Sequence, residues 1–99
     1  MFQGKRYVTC GVATSIPYSV QLFLWSLIDN LAAKRVVDLD YLQVFELMPV
    51  NGGGQKIIHS QEVPNYQAVY QFDNVASPLN IKLYVIDDGV ATMLLPNER

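Results

Sequence analysis

From the N-terminus, the hydrophobic period of this chain runs from two to about four and back to two. Residues 6–12, RYVTCGV, are β-branched and aromatic with a two-residue alternation and predict a strand, with Val8, Cys10 and Val12 on one face and Tyr7 and Thr9 on the other. In TSIPYSVQLFLWSLIDNLAAKR the spacing lengthens: Val20, Leu24, Leu27, Ile28 and Leu31 form one stripe of an amphipathic helix. Ser15 is placed to cap that helix. Pro17 suits its first turn, where a missing N–H goes unpaired anyway. Lys34 and Arg35 bring positive charge to the last turn, at the negative end of the helix dipole. Period two then returns over residues 41–48, 55–63, 66–72, 79–86 and 90–95. NGGG (51–54) and DDG (87–89) are turn residues between the first two and the last two of these runs. Hairpin-linked strands are antiparallel, so the expected class is α+β. It would have an antiparallel sheet of about five to six strands and one long amphipathic helix after the first strand, in two layers.

One helix covers one face of a sheet, yet several of these strands are apolar on both. Over residues 41–48 the two sides are Tyr41, Gln43, Phe45, Leu47 and Leu42, Val44, Glu46, Met48. Over residues 90–95 they are Val90, Thr92, Leu94 and Ala91, Met93, Leu95. A solvated antiparallel sheet carries polar residues on its outer side. The second face therefore calls for a cover, and a homodimer supplies one most simply. The other candidates are the loop 73–80 and the chain ends. Composition points the same way: 51% of the residues are hydrophobic and 16% charged, against roughly 45–50% and about 25% in ordinary globular chains. The 99 residues suit a single domain, 1–99.

The formal net charge of −2, with Lys and Arg scattered in pairs, argues against a nucleic-acid partner. The longest apolar stretch, residues 22–28, is far short of the ~20 residues that span a bilayer, so no membrane partner is expected. Cys10 is alone and cannot close an internal disulfide, and Lys5 and Arg6 interrupt any secretory apolar run. A cytoplasmic protein is expected.

Chemistry concentrates in QKIIHSQEVPNY, residues 55–66, which holds the single histidine, His59. Cys10 could pair with it as a nucleophile, but alternation with Val8 and Val12 places Cys10 in an apolar layer, where a thiol is inert. Ser60 has no glycine-flanked elbow, and on a strand it points away from His59. One histidine and one cysteine cannot build a zinc site, and Asp38, Asp40, Asp87 and Asp88 sit at turns without looped ligand spacing. The glycines of NGGG join two strands instead of opening a helix, which excludes a phosphate cradle. No catalytic residue, metal or cofactor is expected. Two other groups stand out. Tyr18, Leu22, Trp25 and Asp29 fall at i, i+4, i+7 and i+11 opposite the helix stripe, a place for partner-binding anchors. His59, Glu62, Tyr66 and Tyr70 could instead line a pocket between helix and sheet, with His59 as its acid–base group.

The stretches GKRYVT (4–9), IPYSVQLFLWSLIDNL (16–31), LDYLQVFEL (39–47), QKIIHSQEVPNY (55–66) and ATMLLPNER (91–99) resemble, in order and spacing, a family of short Gram-positive bacterial and prophage proteins known as domain of unknown function 960. The likeness spans nearly the whole chain. It implies a stand-alone cytoplasmic protein of bacterial or phage origin, and it brings no activity, cofactor or catalytic residue with it. The residues themselves favour a protein–protein interaction or regulatory module acting as a homodimer. The alternative is a small enzyme or small-molecule binder using the His59 pocket.

Overall fold

Thr9 decides how the chain begins. In the computed structural model, which describes residues 1–99, its side-chain oxygen accepts from the Val12 N–H at 3.3 Å and caps a helix. The strand expected over 6–12 therefore stops early: β1 is Arg6–Val8, and helix α1 is Cys10–Ser15. Val8 and Val12, four apart, fit a helical face as well as a strand, and the threonine cap tips the balance. Cys10 is exposed and not part of an apolar layer.

Helix α2 is Tyr18–Lys34, with Pro17 as its N-cap and no side-chain cap bond; Ser15 instead ends α1. Two helices, of six and 17 residues, stand where one long helix was expected. Leu24, Leu27, Ile28 and Leu31 are buried as the stripe predicts, and Val20 is half-buried. Trp25 and Gln21 are buried too, so the covered sector of the helix is wider than the stripe. Arg35 closes the helix in the left-handed region at φ 52°, its N–H bonded to the Leu31 carbonyl.

Strands β2 (Leu42–Val50), β3 (Gly54–Gln61), β4 (Tyr66–Phe72), β5 (Ile81–Asp87) and β6 (Ala91–Leu94) complete one sheet in the order β1-β6-β5-β2-β3-β4. The class is α+β, and the sheet is mixed: every pairing is antiparallel except β1 with β6, which is parallel. The antiparallel expectation fails at that edge because β1 reaches its partner after the whole chain has intervened, and no hairpin dictates its direction. The β2–β3 turn uses Gly52 and Gly53 at φ +93°, a conformation that side chains with a Cβ resist.

Both helices lie on one face of the sheet. Leu24, Ile28 and Trp25 from α2, Val12 from α1 and Phe2 cluster with Phe45, Leu47, Ile57, Leu83, Val85, Ala91 and Met93. Each Val, Leu, Ile, Phe or Met side chain among them contributes about 1.5–3 kcal/mol by leaving water. The chain ends are tied down at the β1–β6 flank. The Phe2 N–H donates to Asp87, and the Arg6 guanidinium pairs with Asp29 of α2. Near the C-terminus a short 3-10 turn, Pro96–Glu98, brings Glu98 to accept from the Thr9 hydroxyl at 2.6 Å, Leu95 N–H at 2.9 Å and Gly11 N–H at 3.1 Å. These bonds, the Thr9 one foremost, hold the Glu98 carboxyl below its ordinary range.

Candidate functional site

His59 is 1% exposed and sits in the core, not in a cleft. Its ring stacks on Phe45 at 4.5 Å between centroids and meets Tyr66 edge-on at 5.9 Å. The Gln43 amide nitrogen donates to the Asp40 carbonyl at 2.9 Å and to Gln61 Oε1 at 2.8 Å. Gln43 Oε1 is therefore left to accept, and His59 Nε2 lies 2.7 Å from it. Gln61 extends the chain of bonds, donating to the Asp38 and Pro64 carbonyls at 2.8 Å and accepting from Asp40 N–H at 3.0 Å. Every buried side-chain nitrogen and oxygen has a partner. Burial pushes the His59 pKa down to about 4, so the imidazole is neutral at physiological pH. A neutral, stacked and hydrogen-bonded histidine locks strands to loop 38–40, and it has no open side from which to meet a substrate.

The pocket expected from His59, Glu62, Tyr66 and Tyr70 is thus not assembled. Glu62 lies exposed in the β3–β4 turn. Tyr66 and Tyr70 are half-buried neighbours on the helix-facing side of β4. Burial and the adjacent Tyr66 phenol raise the Tyr70 pKa. A groove between helix and sheet does exist, displaced toward the N-terminal end of α2. About 360 Å³ in volume, it has Leu47 and Ile57 among the floor residues and Val20, Phe23, Phe72 and Leu79 among the walls. Phe23 meets Phe72 edge-on at 5.3 Å and Tyr70 at 6.1 Å. The sequence held a signal for this wall: Val20, Phe23 and Leu27 share helical spacing beside the stripe.

Of the helix constellation, Tyr18, Leu22 and Trp25 line one surface depression together with Arg6, Val8 and Gln21, and Asp29 lies outside it. Tyr18 and Leu22 are 71% and 50% exposed, and Asp29 is an exposed partner of Arg6. Trp25 is only 8% exposed, with the Arg6 guanidinium 4.7 Å from its ring centroid. It packs in the core with a cation over its ring, and little of its surface is free for a partner. The wheel missed this because β1, which carries Arg6, folds back against the helix from a distance that local periodicity does not reveal.

Away from the helices, the second face of the sheet is bare over most of its width. The register places Leu42, Val44, Met48, Ile58, Val69, Tyr84 and Ile86 on it, with Glu46, Lys56 and Lys82 interspersed. Only the C-terminal end reaches this side, where Arg99 lies 5.8 Å from the Tyr84 ring centroid and 3.5 Å from the Tyr41 hydroxyl. Lys82 flanks the same ring at 5.7 Å and stands 4.0 Å from Glu46. Loop 73–80 stays on the groove side, held by Gln55, whose side chain bonds the Leu79 N–H at 2.6 Å and carbonyl at 3.0 Å. No three of His, Cys, Asp and Glu converge in a metal-binding geometry, and no helix is long and apolar enough to cross a membrane.

Comparison with known proteins bears on the whole chain. A family model described as staphylococcal protein of unknown function (DUF960) matches residues 5–98. A solved structure, the crystal structure of the protein of unknown function from Enterococcus faecalis, is similar with a TM-score of 0.77 and 31% sequence identity, over 96% of this chain and 90% of that one. No curated protein matches the chain.

Proposed function

This chain belongs to the DUF960 family, and on that premise we propose that it is a small homodimeric binding module that docks another protein on the bare face of its sheet. The observation that carries the reading is the row Leu42, Val44, Ile58, Tyr84 and Ile86, apolar side chains with no helix over them. These side chains are half-buried by one another, with Val69 exposed beside them; an apolar surface of this kind is where partners bind, and interspersed Lys56, Lys82 and Glu46 would orient them. Tyr18 and Leu22 on the helix side form a smaller second patch.

The test is affinity capture from the native host with the wild-type chain, Ile58→Lys and Leu22→Lys, each checked for folding by circular dichroism. The expected outcome is one protein enriched by the wild type and by Leu22→Lys and lost with Ile58→Lys. Equal enrichment by all three folded baits, or by none, overturns the reading.

Small-molecule binding is a second reading, favoured by the groove between Phe23 and Phe72 and not by the His59 end. A thermal-shift screen with apolar compounds tests it: stabilisation of the wild type that disappears on Phe72→Ala supports it, and no stabilisation counts against it.

A further inference from the structure

The two edges of the sheet are built differently. β1 is three residues long, carries Arg6 and follows Lys5, so it offers little to an incoming strand. β4 is seven residues long, YQAVYQF, and hydrogen-bonds to β3 alone. Its other side presents a run of backbone N–H and C=O groups without a strand partner. Monomeric proteins blunt such an edge with lysine, proline, a bulge or an inward charge. β4 carries no charge and no proline from Tyr66 to Phe72, and Glu62 and Asp73, the nearest charged residues, lie outside it.

We propose that β4 pairs antiparallel with β4 of a second copy across a two-fold axis at Val69, joining two six-stranded sheets into one of twelve strands. The proposal rests on the homodimer reading above but moves the contact from the second face, where the sequence pattern put it, to the edge of the sheet. A two-fold perpendicular to the sheet keeps each face on its own side, so directly opposed residues must share a parity. Of the registers this allows, only the one centred on Val69 pairs all seven residues. Val69, 52% exposed, meets its own copy. Gln67 then faces Gln71 on the bare side, where two amides can bond each other. Tyr66 faces Phe72 on the helix side, an aromatic cross-strand pair. Asp73 falls opposite Asn65, so no like charges meet. The result also joins the two bare faces side by side into one continuous surface.

The register makes a charge-swap test possible on exposed side chains that the monomer fold does not need. Gln67→Lys with Gln71→Lys sets lysine against lysine at both ends of the contact. Gln67→Glu with Gln71→Lys sets glutamate against lysine at the same places. Light scattering should give a dimer for the wild type, association weakened about tenfold or more toward monomer for the double lysine, and a dimer again for the glutamate–lysine chain. Amide exchange should show slow alternate β4 amides, those facing away from β3, only in the dimeric species. A wild-type dimer that persists in the double-lysine variant with those amides exchanging fast overturns this contact and leaves the homodimer standing. A wild-type monomer at 100 μM overturns both.

Discussion

Lowering the pH from 7 to 5 loads a proton onto His59 in the unfolded chain but not in the folded one. The unfolded imidazole titrates at its ordinary 6.5, and the folded one at about 4 because burial penalises the cation. Between those values unfolding takes up one proton, so stability falls as pH falls, by up to about 1.4 kcal/mol per pH unit. Integrated from pH 7 to pH 5, the loss is about 2 kcal/mol, and it levels off below pH 4 when both states are protonated. For a chain of this size, 2 kcal/mol lowers Tm by about 8–16 °C. The window excludes the carboxylates: Asp87, held low first by the Phe2 N–H, and Glu98 lose their contributions only at more acid pH. Urea unfolding of the wild type and of His59→Phe at pH 7, 6 and 5 measures the effect. The variant keeps a ring against Phe45 but leaves Gln43 Oε1 without its donor, at a cost of about 1–3 kcal/mol at every pH. Its stability should be flat across the window while the wild type declines. A flat wild type, or a variant that declines equally, refutes the assignment of the acid sensitivity to this buried ring.

Two further substitutions probe the packing. Trp25→Ala removes a buried core side chain from under Arg6, and urea unfolding should show a loss of about 3–5 kcal/mol with no change in oligomer mass. Gly54→Ala would place a Cβ 2.8 Å from the Phe72 carbonyl oxygen, so the β3–β4 pairing must shift at that end. A loss of about 1–3 kcal/mol by thermal melting is expected, with faster exchange of amides near Phe72 than elsewhere in β4.

The parts legible in the sequence are those where neighbours in the chain determine neighbours in space. β4 matches its alternation at 66–72, the NGGG and DDG hairpins pair as their turns require, and the helix buries Leu24, Leu27, Ile28 and Leu31. The misreadings all involve distant partners. Whether Thr9 or Ser15 caps first is a choice between two local options, settled when Glu98 arrives from the other end of the chain to bond Thr9. Trp25 is buried because Arg6 covers it, and β1 runs parallel to a strand more than eighty residues away. The buried glutamines were hidden for the same reason. Gln55 and Gln61 look like surface residues, yet they bond the Leu79 and Asp38 carbonyls, 24 and 23 residues away, and Gln61 in turn accepts from Gln43. The histidine's place in a strand was readable from the alternation, whereas the groove walled by Phe23 and Phe72 required the loop 73–80 to be in place.

Both ends of the polypeptide are fastened in the β1–β6–β5 half of the sheet, Phe2 to Asp87 of β5 and Arg99 beside Tyr84 of β5, at least three strand spacings, or about 14 Å, from β4. Anything grafted onto either terminus therefore starts two strands or more short of β4 and leaves that strand unobstructed. In a twelve-stranded assembly the same arrangement would hold two fluorescent reporters seven strand spacings or more apart, about 34 Å at the least, one on each half of a common ribbon.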